Sequence, residues 1–213
     1  MTSKTARITR AVAASLFGAL LILPIPVQAA NLVLNGDFET GTFASWTLLD
    51  TSGQCIWVGN PGTNPIPCQP WAPYGSSGVA PHGGNWEAIL GPYDNDSYLE
   101  QDLATVAGRA YTLTFWLANT PDVGPGPNRF HVSWGTREIY AGENLPYFGW
   151  SRYELSGLIA AGNTTTLTFG PFRNQPSFFE LDDVSVTASP EPATLLLIGT
   201  SLLAAFGLLK KSL

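Results

Sequence analysis

Between Asn31 and Ser189 the chain contains no lysine, and five arginines stand against 15 acidic residues, a formal charge of −10. Such a surface offers no basic patch to phosphates, which excludes nucleic acid as a partner. It suits neutral glycans and divalent cations instead. Histidine is nearly absent too, with only His82 and His131. Neither the Gly-x-Ser-x-Gly nor the His-Glu-x-x-His pattern occurs, so nucleophilic and zinc-dependent hydrolysis have no motif behind them. A glycosidase needs two carboxylates facing each other across a cleft. Glu87, Glu100 and Glu154 are present, but no spacing selects a pair. The stretch Gly124-Pro125-Gly126-Pro127 is followed by neither a helix nor a lysine, so it is a turn and not a phosphate loop. The chain therefore reads as non-catalytic. Strong helix formers are few, while Gly, Pro, Thr and aromatics abound, which indicates a β protein rich in turns.

The basic residues that the middle lacks are at the two ends. Lys4, Arg7 and Arg10 precede an apolar run from Ala11 to Ile25, and Val27-Gln28-Ala29 forms a small-x-small site. Residues 1–30 thus read as a secretory signal peptide with a helical apolar segment, excluded from the fold. At the other end Ser189-Pro190-Glu191-Pro192 leads into Ala193–Leu209, 17 residues without a charge, and then Lys210-Lys211. That length is at the short limit for a transmembrane helix, and the two lysines would hold its far end on the cytoplasmic side. Residues 189–213 read as a sorting tail, with a plain membrane anchor as the alternative. The order Pro-Glu-Pro, helix, Lys-Lys also resembles the PEP-CTERM sorting signal. That resemblance implies export, transit through the inner membrane, handling by an exosortase-type membrane protease, and a destination at the cell surface or in an exopolysaccharide matrix.

The middle region, 31–188, is long enough for one domain with its own core. Strand patterns are expected at 31–34, 46–50, 86–90, 98–103, 111–118, 130–134, 137–140, 147–158, 164–169 and 178–187, with turn residues between them. Tyr111, Leu113, Phe115 and Leu117 alternate with Thr112 and Thr114, the mark of a half-buried strand. His131 alternates with Phe130 and Val132. The segments 86–90 and 98–103 look like a hairpin. About ten short strands and no helix in a secreted domain predict an all-β, two-sheet sandwich of jelly-roll type, flanked by the two targeting helices. Cys55 and Cys68 are the only cysteines. In an exported chain the even count points to one disulfide. It would pin a proline-rich loop without strand pattern and contribute about 2–3 kcal/mol. Two free thiols are the alternative.

Asn35-Gly36-Asp37-Phe38-Glu39, followed by Gly41 and Trp46, opens the domain, and Asp182-Asp183-Val184-Ser185-Val186 closes it. With Gln101, Gly108 and the strand Tyr111-x-Leu113-x-Phe115, these motifs resemble carbohydrate-binding modules of the galactose-binding-like jelly-roll fold. The resemblance implies that the two ends meet and hold a structural Ca²⁺. Glu39, the Gly41 carbonyl and Asp182 would be its ligands, and Asp37 and Asp183 weaker candidates. Oxygen donors of this kind suit Ca²⁺. Asp182 shares parity with Val184 and Val186 and is expected to point inward, unless a bulge intervenes.

Sugars stack on exposed aromatic rings, which bury large area at low entropic cost. Trp57, Trp71 and Tyr74, in and after the cysteine loop, are the expected glycan-binding rings. Tyr93 and Tyr147 are further loop aromatics, and Asn85, Asp94, Asn95 and Arg129 are available polar partners. Trp46, Trp86, Trp116, Trp134 and Trp150 read as core or sheet-face residues. The functional expectation is a non-catalytic binder of polysaccharide, with a structural protein that binds another protein as the alternative.

Overall fold

A computed structural model describes residues 29–49, 55–60, 79–91, 96–120, 127–173 and 178–190. The expected signal helix, the transmembrane segment 193–209, Glu191, Pro192, Lys210, Lys211, Cys68, Trp71, Tyr74 and the Cys55 side chain lie outside the described residues.

Ten strands follow one another: β1 (Thr47–Leu49), β2 (Cys55–Gly59), β3 (Glu87–Gly91), β4 (Tyr98–Ala104), β5 (Ala110–Asn119), β6 (Asn128–Trp134), β7 (Arg137–Glu143), β8 (Phe148–Ile159), β9 (Thr164–Arg173) and β10 (Phe179–Ala188). They form two antiparallel five-stranded sheets, β1-β4-β9-β6-β7 and β2-β3-β10-β5-β8. Period-two alternation drives the arrangement. Leu113, Phe115 and Leu117 on β5, Phe130 and Val132 on β6, Leu167 and Phe169 on β9, and Phe179 and Leu181 on β10 are all fully buried between the sheets. Phe130 meets Phe179 at 5.1 Å and Phe115 meets Phe169 at 5.3 Å between ring centroids. Each such ring withdrawn from water contributes about 1.5–3 kcal/mol. The expected two-sheet sandwich is therefore the observed fold.

Three local expectations are corrected. The segments 86–90 and 98–103 do not form a hairpin, because β3 pairs with β10 and β2 in the second sheet while β4 pairs with β1 and β9 in the first. β3 is buried along its whole length and β4 alternates, and two such strands are as well buried in different sheets of one sandwich as side by side. Residues 55–59, read as irregular, form β2 against β3. Residues 31–34 belong to no strand. They are held instead by a bond from Leu32 N to Val186 O (2.8 Å) and by the Gln101 side chain, which contacts both backbone groups of Leu34 (2.8 and 2.9 Å).

The fourth correction concerns Asp182. The β10–β5 register shifts between Asp182 and Ser185, and Asp183 has φ 49°. This bulge returns Val184 and Val186 to the core, so their parity with Asp182 is broken. Asp182, opposite Trp116, points to the outer face of the second sheet, as does Glu180 opposite Ala118.

Candidate functional site

The two end motifs do meet. Val184 N donates to Gly36 O at 2.8 Å, and a Cβ at Gly36 would lie 2.1 Å from Val184 O, so only glycine allows this approach. Loop 80–86 then crosses both ends like a strap. Glu39 Oε1 accepts the N–H groups of Asn85 (2.6 Å) and Trp86 (2.8 Å). Partial burial works against that carboxylate's charge, but these two bonds outweigh it and hold its pKa below the usual value. Asp182 Oδ2 accepts Gly83 N–H at 3.0 Å, and Asp183 Oδ2 lies 2.6 Å from His82 Nδ1. The His82 ring stacks on Trp116 at 3.8 Å and meets Trp150 edge-on at 5.8 Å, while Trp150 Nε1 donates to Ala80 O at 2.8 Å.

The calcium expectation can be compared with this geometry. Glu39 and Asp182 offer the hard oxygen donors that Ca²⁺ takes, and Gly41, in a positive-φ turn against Trp86, is close by in sequence. Asp37 and Asp183 both line a shallow groove of about 380 Å³ at this end. Among the described residues, however, no group of three or more His, Cys, Asp or Glu side chains converges as an ion site. An ion here would take its remaining ligands from backbone carbonyls.

Under the strap, the outer face of the second sheet carries Glu87, Glu180 and Asp182, all fully buried. Burial, then the neighbouring Glu180 and Asp182, push the Glu87 carboxyl up to about 10. Burial raises Asp182 to about 7 against the N–H bonds it accepts. Like charges this close do not all ionise, so Glu87 is neutral at pH 7. Trp57 shares this sheet face, opposite Ile89, where it packs edge-on against Phe178 at 5.3 Å. Of the three expected stacking rings it is the one the described residues include, and part of its surface is already used in packing.

A second platform was not anticipated. On the outer face of the first sheet the register aligns Thr47, Glu100, Thr168, Ser133 and Glu138 in one row. The next row holds Tyr98, Gly170, His131 and Ala141, and the third holds Phe172, Arg129 and Glu143. Tyr98 and His131 are half-buried and meet at 5.9 Å, ring to ring. Gly170 makes this possible, because a Cβ there would lie 2.1 Å from His131 Nε2. Burial, with Arg129 beside it, lowers the His131 pKa, so the ring is neutral at pH 7. Arg129 is bonded to Asp96 and lies 5.3 Å from the Phe172 ring. Glu100 accepts from Thr168 at 3.0 Å and also borders an open groove of about 690 Å³ lined by Leu34, Ser45, Thr47, Asp102 and Thr166.

No protein-family model and no curated protein matches the sequence. Solved structures do share its architecture. TmCBM61, in complex with β-1,4-galactotriose, is similar over 76% of this chain and 100% of its own, with 18% identity and a TM-score of 0.52. The CBM22-1 xylan-binding domain of Paenibacillus barcinonensis Xyn10C is similar over 77% of this chain and 97% of its own, with 12% identity and a TM-score of 0.51. The fold is the jelly roll of carbohydrate-binding modules. A Stig cyclase, Fisc from Fischerella sp. TAU, is also similar, over 76% of this chain and 98% of its own, with 20% identity and a TM-score of 0.51. The jelly roll thus accommodates a sugar-bound module and a cyclase alike, and function has to be argued from the site.

Of the polar partners considered from sequence, Arg129 is on the first-sheet platform, and Asn85 is committed to Glu39. Tyr98, Glu100 and His131 were missed as a group. Their signal was alternation: each faces away from core neighbours, namely Leu99, Gln101, Phe130 and Val132.

Proposed function

We propose that this domain is a non-catalytic polysaccharide-binding module and that the outer face of its first sheet holds the ligand. The observation that carries the reading is the pair of half-exposed rings, Tyr98 and His131, on one sheet face with Glu100, which in turn borders the groove of about 690 Å³. A volume of this order suits a small ligand or a short stretch of a chain. The rings supply faces for sugar C–H groups, and Glu100, Thr168, Ser133 and Arg129 supply hydrogen bonds. The jelly-roll neighbours, one in complex with galactotriose and one a xylan-binding domain, support the same class of ligand.

The reading extends to delivery. Residues 1–30 export the chain, and the tail from Pro190 to Lys211 routes it through the inner membrane to an exosortase-type protease, then to the surface or matrix. Ca²⁺ at Glu39, the Gly41 carbonyl and Asp182 would staple the two ends without touching the ligand. A second location for the ligand is the face of the second sheet that bears Trp57, Trp116 and Trp150; Trp71 and Tyr74, the other expected rings, lie outside the described residues.

The test is affinity electrophoresis of the full chain in neutral detergent against a panel of soluble polysaccharides. Retardation by at least one neutral glycan is expected, with loss of retardation in Tyr98→Ala/His131→Ala and little change in Trp57→Ala. Retardation lost only in Trp57→Ala moves the ligand to the second sheet. No retardation by any glycan removes the binding-module reading and favours a structural protein with a protein partner.

A further inference from the structure

Arg129 is the only cation on the first-sheet platform among the described residues, and its charge is already committed. Its guanidinium bonds Asp96, and its carbon lies 5.3 Å from the Phe172 ring. Asp96 and Arg129 are both partly exposed, with side chains 34% and 39% accessible, so the pair lies at the surface where a ligand would pass. Glu143 is directly opposite Arg129 on β7, and neighbouring strands are only about 4.8 Å apart. Glu138 and Glu100 lie in the row that crosses β6 at Ser133, four residues from Arg129, opposite Ser133 and Thr168. Next to Arg129, then, one cation faces two carboxylates, Asp96 and Glu143. His131 adds no compensating charge, because it is neutral.

A free arginine is the side chain best shaped to receive a sugar carboxylate, through two parallel N–H bonds. Here Asp96 occupies part of that fork, and any second carboxylate would also meet Glu143. Neutral hydroxyls meet no such barrier. They donate to the carboxylates and accept from the N–H groups of Arg129 that Asp96 leaves over. Resting on the glycan reading above, we propose that Asp96 is a specificity-determining residue: by occupying Arg129 it restricts the platform to neutral polysaccharides and excludes uronate-bearing ones. The platform rejects the wrong ligand by repulsion as much as it selects the right one by fit.

The experiment compares the full-length parent and Asp96→Asn in affinity electrophoresis against β-1,4-galactan, xylan and polygalacturonate, with melting curves as the check on folding. The parent is expected to be retarded by a neutral glycan and to pass polygalacturonate unretarded. Asp96→Asn gains polygalacturonate binding, with an affinity at least about tenfold above the parent's. The gain disappears in Asp96→Asn/Arg129→Gln and at high salt. Asp96→Ser serves in its place if the asparagine variant does not fold. Parental retardation by polygalacturonate as strong as by the neutral glycans overturns the specificity assignment and leaves the binding module standing. A folded Asp96 variant without the gain overturns the role of Asp96 in the same way. A parent retarded by none of the three overturns the binding-module reading for these glycans and the inference together.

Discussion

The side chain of Gln101 takes the place of a neighbouring strand for Leu34: Oε1 accepts Leu34 N–H at 2.8 Å and Nε2 donates to Leu34 O at 2.9 Å. Gln101 is nearly buried on β4, so these bonds are made at the edge of the core. They fasten the opening segment to the first sheet while Leu32 N and Asn31 Oδ1 fasten it to Val186 in the second. The opening segment thus bridges the two sheets.

Gln101→Leu is expected to keep the volume and remove both bonds, leaving a part-buried N–H and C=O without partners. The cost is about 2 kcal/mol, read as a lower denaturation midpoint with an unchanged m-value. An unchanged midpoint would mean that residues 31–34 contribute nothing to stability.

Stability is expected to fall as pH rises above about 5. Glu87 has a folded pKa of about 10 and Asp182 one of about 7, each above its unfolded value. Between the unfolded and folded values the native state holds protons that the unfolded state releases, so the slope of stability against pH is negative. The loss starts near the ordinary carboxylate pKa and continues to about pH 7 for Asp182 and about pH 10 for Glu87. Glu87→Gln should flatten the curve above pH 7 and leave the variant at least as stable as the parent at pH 9. Melting temperatures across pH 5–9 decide this.

Gly170→Ala puts a methyl where His131 Nε2 now lies, 2.1 Å from the ideal Cβ position. The His131 ring must leave its place beside Tyr98. The expected result is weaker glycan retardation with a modest drop in melting temperature, because the displaced ring is at the surface and not in the core. Retention of full binding would show that the His131 ring is not part of the ligand face.

Calcium removal tests the staple. If Ca²⁺ joins Glu39, the Gly41 carbonyl and Asp182, EDTA lowers the melting temperature of the parent, and Asp182→Asn abolishes the difference. A parent melt insensitive to EDTA leaves the strap of N–H groups from Gly83, Asn85 and Trp86 as what holds these carboxylates.

Glu39→Ala removes the acceptor of two strap N–H groups at once. A loss of about 1–3 kcal/mol is expected. Faster hydrogen exchange at Asn85 and Trp86, with β5 and β9 unaffected, would localise the change to the strap.

Much of the fold was legible because alternation is a local property. The patterns of β4 to β10 can be read from consecutive residues, and Leu113, Phe115 and Leu117 show which side is buried before any partner is known. The resemblance of the opening and closing motifs to carbohydrate-binding modules implied that the two ends meet, and they do, at Gly36 and Val184. What was misread required a partner to be known. Cys55–Gly59 lacks a clear pattern because Trp57 is partly buried on a face expected to be polar. The parity of Asp182 failed at a single residue, since a bulge inserts one position and exchanges the faces on either side of it.

By itself the sequence determined an all-β domain, an acidic middle region without lysine, and the burial side of the strands whose alternation is unbroken. Only the tertiary structure decided which strands are neighbours. Tyr98, Arg129, His131 and Gly170 come from β4, β6 and β9, up to 72 residues apart in the chain, and are brought together by the ladders β4–β9 and β9–β6. Alternation tells each strand which face to bury, but the energy of burial is nearly the same for any amphipathic partner. The choice of partner, and with it the grouping of these four residues on one face, is made by the packing of the whole sandwich.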